Sequence, residues 1–433
     1  MNRALTAVKD LVSFSAQFAK SSDFRAAVQR LRMRPTGPAV ESDQFERELA
    51  ASPDAAKAHG RLSGGALALS AATLSGSTPR RVNLVLSEFD PAKIFAGIST
   101  ALDFAAALAE KQGAPLRLVV LTERFRDAER DRAVEFLRER WGGDAEVVSR
   151  RDIIGHAFGS DDTWVVTHWT TAHPATVAAL AGVLNPSRVV YLVQDFEPGF
   201  AGWSTASSVA RTTYDAGFHL VVNSTPLAAY LADVAGIPVD SDLVFAPQLA
   251  IDRLSGPAHE GTPSTVRVLF YGRPSKPRNL FELGVAAIDH ASYVLGDDVS
   301  VEFVSAGEAH PPRQLTGGRT LTSVGTLSWD GYFEHLHGAH VMLSLQASPH
   351  PSHPPLEAAI SGALAITNEF EGTRAGLHPR LTPVEADPIA LGEAVAAAVT
   401  ASRTTARGTF APTSRSLGND IGQVVDAIAG RLS

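Results

Sequence analysis

The sequence predicts an α/β protein: two doubly wound, Rossmann-like domains in tandem, preceded by a helical extension. Three observations predict it. From residue 81 onward, short and largely apolar runs alternate with helix-length segments, the rhythm of a parallel sheet covered on both faces. That rhythm breaks at a Pro/Gly/Ser-rich stretch, residues 252–264, and then restarts. The chain has 433 residues, 45% of them apolar and 19% charged, a length that suits two or three domains and a composition that suits a packed globular protein.

The elements follow in order. Residues 82–88 form an apolar strand, 93–112 a helix and 116–122 a strand of the kind that parallel sheets bury on both sides. A charged helix over 127–141 and a short strand near Val147 come next. A strand at 164–167 leads to a helix after His173-Pro174. The strand at 189–193 runs into Gln194-Asp195-Phe196-Glu197-Pro198, and the strand at 220–223 precedes a helix at 226–235. These make a first domain over 81–250. The second domain, 265–415, opens with a strand at 266–271. It continues through a helix at 279–295, a strand at 299–304, a helix at 329–338 and a strand at 341–345. A short helix over 354–362, a strand at 363–367 and a helix at 388–401 complete it. Residues 416–433 read as a closing helix free to pack on either domain. Two such domains in tandem are expected to make a cleft between their sheet ends, the usual ligand site of open α/β folds.

Residues 1–80 form the extension. Over 1–34, Arg3, Lys9, Lys20, Arg25, Arg30, Arg32 and Arg34 face only Asp10 and Asp23 as acids. Leu5, Val8, Leu11, Phe14 and Phe18 recur at helical spacing. Such a helix either packs on the body or on a second subunit of a homodimer, or lies against the anionic inner face of a membrane. Residues 35–80 read as linker and short helices.

Composition excludes several classes. The chain has 38 Lys and Arg against 46 Asp and Glu, a net charge of −8, which argues against nucleic acid as a partner. With no cysteine there is no disulfide, thiolate metal site or cysteine nucleophile. No apolar run reaches the ~18 residues of a membrane-spanning helix, and no signal peptide is apparent; a cytoplasmic location is expected. The glycine fingerprints of dinucleotide binding and of P-loops are absent, as is the nucleophile elbow of serine hydrolases. His335, His337 and His340 are no metal set, because on a helix the first two point roughly 200° apart. Asp240-Ser-Asp242 reads as a solvated loop and not a metal-diphosphate clamp. No metal and no cofactor are expected.

Two constellations carry chemistry. The strand at 266–271 ends in Tyr271-Gly272-Arg273-Pro274, with Lys276, Arg278 and Asn279 before the next helix. Backbone N–H groups at such a strand-to-helix loop favour an anion, Gly272 permits close approach, and Arg273 offers a planar fork to phosphate oxygens. The second is Ser348-Pro349-His350-Pro351-Ser352-His353-Pro354-Pro355-Leu356-Glu357. Its prolines make a stiff approach to a helix, expected to place Glu357 in the first turn. There the carboxylate either holds a pair of sugar hydroxyls or merely complements the helix dipole. Asn368 and Glu371 follow the next strand.

Together with Tyr191–Pro198 and Ser361–Asn368, these stretches resemble GT-B glycosyltransferases, specifically the rhamnosyltransferases of the rhamnan-synthesis type within retaining family 4. The likeness runs over about 190–375 in family order. It implies two Rossmann-like domains facing across a cleft. The second would hold a nucleotide sugar, dTDP-β-L-rhamnose, and the first a glycan or lipid-linked glycan acceptor for cell-surface polysaccharide. By the same resemblance Arg273 contacts the diphosphate and Glu357 holds the nucleotide's sugar ring. Ser348, Pro349 and His350 line the donor, and Asp195 faces the reacting centre. Tyr271, Gly272, Asn279, Thr326, Leu327, Asn368 and Glu371 complete the implied donor set. Many retaining relatives carry a second glutamate where this chain has Pro349, as the rhamnan-type group also does. That group has a lysine where this chain has Thr326, which leaves Lys276 or Arg278 as the substitute cation, or a different donor. A nucleotide-sugar-binding relative without full activity is the alternative reading.

Overall fold

The computed structural model describes residue 62 and residues 64–432, apart from 95, 123–124, 126, 143–145 and 257–260. The N-terminal basic helix expected over 1–34 lies outside the described residues. Two compact units emerge. The first takes the chain up to Val222, with Asp240–Leu243 and Asp420–Ser433; the second takes Asn223–Val239 and Val244–Asn419.

In the first unit six parallel strands lie side by side in a seven-stranded sheet: β1 (Val82–Leu86), β2 (Leu116–Val120), β3 (Glu146–Ser149), β4 (Thr163–Val166), β5 (Val189–Val193) and β6 (His219–Asn223). Their order is β3-β2-β1-β4-β5-β6, so the chain reverses its direction of winding between β1 and β4. Helices α1 (Ala96–Gln112), α2 (Asp127–Trp141), α3 (Trp169–Leu180) and α4 (Thr205–Thr212) connect them. Every residue of β1, β4 and β5 is buried, which is why these runs are apolar apart from Asn83 and Thr163.

Three local features differ from the sequence reading. Helix α3 begins at Trp169, five residues before Pro174. His168 and Thr171 cap it reciprocally, and that capping sets the start while Pro174 is carried inside the helix. The Asp240-Ser-Asp242 loop is clamped and not merely solvated: Arg431 donates to Asp242 at 2.8 Å and also pairs with Asp240. The closing helix Ile421–Arg431 therefore belongs to the first unit, where Lys111 of α1 also meets Asp426 at 2.6 Å. Finally, the apolar strand β2 carries the fully buried Arg117. It donates to Asn83 and Asp162 at 3.0 Å each and to Glu146 at 2.6 Å, so burial is tolerated because the guanidinium is matched.

The second unit opens with helix α5 (Thr225–Asp233). Its sheet contains β7 (Val266–Gly272), β8 (Val301–Gly307), the short β9 (Arg313–Gln314), β10 (Thr320–Gly325), β11 (Val341–Leu343), β12 (Leu364–Asn368) and β13 (Leu381–Val384). The order is β9-β10-β8-β7-β11-β12-β13, all parallel except β9. Helices α6 (Phe281–Leu295), α7 (Trp329–Gly338), α8 (His353–Ile360) and α9 (Pro388–Ser402) cover it. Side-chain alternation builds two cores. Val266, Val268 and Phe270 point to the face under α6 and α9, while Leu269 and Met342 point to the face under α7 and α8. The winding reverses between β7 and β11, so the loops after those two strands bound a crevice within this unit. The α/β class and the doubly wound form of both units are as the sequence predicts.

Candidate functional site

The crevice is bounded by the loops that follow β7 and β11, and the two are tied together: Ala347 N–H donates to the Arg278 carbonyl at 2.7 Å. Non-glycine residues with left-handed backbone mark this end of the sheet. Leu280 follows β7 at φ 49°, Ser352 follows β11 at φ 67° and Glu371 follows β12 at φ 46°. Strained backbone of this kind costs on the order of 1–3 kcal/mol per residue and concentrates at ligand sites.

The loop after β7 presents Arg273. Its side chain is not free: Nε donates to Glu308 Oε1 at 3.4 Å. Ser275 also donates to Glu308, from its N–H at 2.9 Å and from its hydroxyl at 2.7 Å. Burial alone would raise the Glu308 pKa. The Ser275 hydrogen bonds and the Arg273 charge outweigh it and hold the carboxyl below its usual range. A side chain at Gly272 would put its Cβ 2.4 Å from Ser305 Oγ, so only glycine fits. Gly307 has φ +130°, and a Cβ there would lie 2.7 Å from the Gly272 carbonyl. Thr326 closes the same corner, its hydroxyl donating to the Gly307 carbonyl at 2.9 Å. A threonine therefore ties the turn down where a lysine would project a charge.

Glu357 lies on α8, which starts at His353. The glutamate is thus one turn inside the helix and not in the first turn as expected, because His353 precedes the two prolines into helical geometry. The helix dipole acts chiefly on the terminal turn, so dipole compensation does not account for this carboxyl. Glu357 is 3% exposed, and burial pushes its pKa up to about 7, against the opposing effect of a hydrogen bond from Tyr332 Oη at 2.5 Å. Burial, then the Glu357 charge, drives the Tyr332 phenol well above its ordinary value, so it stays a donor. Tyr271 is close enough to Tyr332 to add to that rise, which brings the β7 end and Glu357 into one neighbourhood.

The 346–352 loop is laced from inside. Asn368 Oδ1 accepts from Gln346 N–H at 2.7 Å, and its Nδ2 donates to the Gln346 carbonyl at 3.1 Å. Asn368, expected at the donor, thus holds the loop. Arg374, fully buried, donates to the carbonyls of Asn368 at 2.7 Å and of Gln346 and Ser348 at 2.8 Å each. His350 N–H donates to Ser348 Oγ, and the His350 ring accepts from Ser352 N–H at Nδ1, both at 3.1 Å. Burial, with the nearby His353 and Arg374, drops the His350 pKa to about 3, and burial drops that of His353 to about 4. Both rings are neutral at pH 7. Asn279 is buried beside the loop, its Nδ2 3.5 Å from the Leu345 carbonyl.

The second unit therefore brings together Tyr271, Gly272, Arg273 and Thr326 at one corner, Glu357 at another, and Ser348, Pro349 and His350 between the buried supports. Leu327 is half-buried beside Thr326, whereas Glu371 is exposed. Asp195 belongs to the first unit. It is 8% exposed, and its Oδ1 accepts from the next backbone N–H, Phe196, at 2.8 Å. Sequence reasoning missed its neighbour Glu197, buried at the same strand end, which accepts from Trp169 N–H at 2.5 Å and lies 3.8 Å from His168 Nε2. It also missed Glu308, Tyr332 and Arg374. Only Glu308 left a signal, as the acid just beyond the glycine that ends β8.

Among the described residues no group of three or more His, Asp or Glu side chains is arranged to hold a metal, and no helix is long and apolar enough to cross a membrane.

Comparison with known proteins places this geometry. Residues 81–223 match the model of the WsaF N-terminal domain, and residues 266–396 match that of the WsaF C-terminal domain. The chain belongs to the WsaF family of glycosyltransferases. The two WsaF segments cover the two sheets and include Asp195, Arg273, Glu308, Glu357 and Arg374. The chain is also 29% identical over 278 residues to the O-antigen biosynthesis protein RfbC of Myxococcus xanthus, a match over 64% of this chain. It spans only 21% of that relative's length. Among solved structures it is similar to sucrose-phosphate synthase of Thermosynechococcus elongatus, at 14% identity and TM-score 0.47, covering 75% of this chain and 95% of the other. It is likewise similar to a glycosyltransferase of Rickettsia africae, at 11% identity and TM-score 0.45, covering 82% and 93%.

Proposed function

We propose that this WsaF-family protein transfers a deoxyhexose, L-rhamnose from dTDP-β-L-rhamnose, to a glycan or lipid-linked glycan acceptor during cell-surface polysaccharide assembly, without a metal, in the cytoplasm, either free or against the inner face of the membrane. The observation that carries the reading is Glu357: a carboxyl buried at the crevice, kept near neutrality and held by Tyr332, on the same sheet end as the Arg273 fork. A carboxylate so placed accepts from a vicinal pair of sugar hydroxyls, while Arg273 and backbone N–H groups suit a diphosphate.

The chemistry needs charge stabilisation more than a base. As the bond from the sugar's anomeric carbon to the phosphate oxygen breaks, negative charge grows on the leaving diphosphate. Donors fixed there lower the barrier because they act more strongly on the transition state than on the ground state. Glu308 keeps Arg273 in a fixed pose, and Lys276 and Arg278 on the same loop supply further positive charge. If configuration is retained, the departing phosphate accepts the acceptor's proton on the same face; if it is inverted, Asp195 is the base. RfbC, named for O-antigen biosynthesis, supports a polysaccharide acceptor.

Purified protein incubated with dTDP-rhamnose, with and without glycan acceptor, should release dTDP in an acceptor-dependent way. Arg273→Ala and Glu357→Ala should each lower turnover by about tenfold or more with the fold intact. Near-normal transfer by both variants would remove the assignment. The second reading, a binding relative with little activity, is favoured by Thr326 and by the hold of Glu308 on Arg273. It predicts nucleotide-sugar binding without dTDP release.

A further inference from the structure

Arg374 comes from a Gly-Thr-Arg-Ala-Gly run that reads as exposed loop, yet its side chain is fully buried. Its guanidinium meets the backbone carbonyls of Asn368, Gln346 and Ser348 at 2.7–2.8 Å and approaches that of His350 at 3.5 Å. The segment bends over residues 347–350 rather than running as a strand, and Arg374 gathers the carbonyls of 346, 348 and 350 from within that bend. A separate contact ties the loop to the segment after β7: Ala347 N–H donates to the Arg278 carbonyl. The loop is thus pinned by both before any ligand arrives. What it presents is His350, 7% exposed, whose Nδ1 is taken by Ser352 N–H and whose Nε2 has no partner among the described residues. With Nδ1 accepting, a neutral ring carries its hydrogen on Nε2, a buried donor that lacks an acceptor.

We propose that Arg374 is a positioning residue of the donor site: held beneath the 346–350 loop, it fixes the loop so that His350 Nε2–H stands ready for an oxygen of the bound glycosyl diphosphate. This rests on the donor reading above and adds a residue that touches no substrate. Buried, pre-set groups of this kind raise affinity by removing the cost of ordering a loop on binding.

The test uses the full chain, with dTDP-β-L-rhamnose, UDP-glucose and GDP-mannose as calorimetric probes and melting temperature measured alongside. Arg407 is the control. It is a half-buried strap arginine of the same unit, pinning the Ala339 and Ser361 carbonyls at the amino-terminal end of the same sheet. Arg374→Met should weaken the binding nucleotide sugar by at least tenfold. Arg374→Lys, which keeps the charge but not the fork, should fall between it and the parent and guards against misfolding of the first variant. His350→Gln, which keeps an N–H near the Nε2 position, should retain more affinity than His350→Leu. Arg407→Met should lower the melting temperature with donor affinity unchanged. Equal affinity in the parent and both Arg374 variants, or an equal affinity loss in Arg407→Met, would overturn the inference while leaving the donor reading in place. Failure of the parent to bind any of the three probes would overturn both.

Discussion

Replacing Glu357 by glutamine tests the heart of the site without touching its shape. Burial raises the Glu357 pKa from 4.5 to about 7 in the folded protein. Below pH 4.5 the group is protonated folded or unfolded and contributes no pH dependence. Between 4.5 and 7 the unfolded chain has released a proton that the folded chain retains, so stability falls as pH rises. A tenfold change in proton affinity is worth about 1.4 kcal/mol, so the rise from 4.5 to about 7 amounts to a loss of about 3 kcal/mol by pH 8. Glutamine carries no charge to desolvate, and its carbonyl still accepts from Tyr332. Glu357→Gln should therefore match the parent near pH 4.5 and exceed it by about 3 kcal/mol at pH 8. The measurement is urea unfolding of both chains at matched pH values, followed by far-ultraviolet circular dichroism. Parallel pH profiles for the two proteins would refute the claim that this carboxyl is buried and hard to ionise. The same variant should lose nucleotide-sugar affinity, because a carboxylate accepts from two hydroxyls and an amide oxygen with its –NH₂ neighbour does not.

Other predictions rest on different contacts. His350 and His353 have pKa values lowered from 6.5 to about 3 and about 4, so the stability they allow is present above pH 6.5 and is lost as pH falls towards those values. His350→Gln should flatten the acid limb of a melting-temperature profile between pH 6 and pH 3, and an unchanged limb would contradict it. Arg117→Leu leaves Asp162 buried without its cation and should cost about 3–5 kcal/mol, whereas an unfolding free energy within 1 kcal/mol of the parent would show the network to be dispensable. Thr326→Lys adds a cation beside the Gly307 turn and should raise nucleotide affinity several-fold in calorimetry; weaker binding would place the diphosphate elsewhere.

Much of the architecture can be read from residue order alone. Burial on both faces makes strands such as β5 uniformly apolar, and the interruption before residue 266 marks where a second sheet begins. The two chemical loops stand out because they follow strands of the second sheet and carry, in order, the residues of the family resemblance. The wiring of the candidate site is less legible. Glu308 follows Arg273 by 35 positions and Tyr332 precedes Glu357 by 25, separations at which nothing local links an acid to its partner. Proline reads as a helix boundary at Pro174 and at Pro354, whereas capping by His168 and the helical entry of His353 set the real starts.

By itself the sequence determined the α/β class, the two-sheet organisation and the absence of thiol chemistry, since each follows from periodicity or from composition, and the family resemblance picked out the stretches that carry Arg273 and Glu357. Only the tertiary structure decided that Glu357 is hard to ionise, that Glu308 grips Arg273, that Asn368 faces its own loop and that Arg374 lies inside the fold. Charge state and hydrogen-bond partner depend on what surrounds a group in three dimensions, and strands that meet at one sheet edge draw those surroundings from distant parts of the chain.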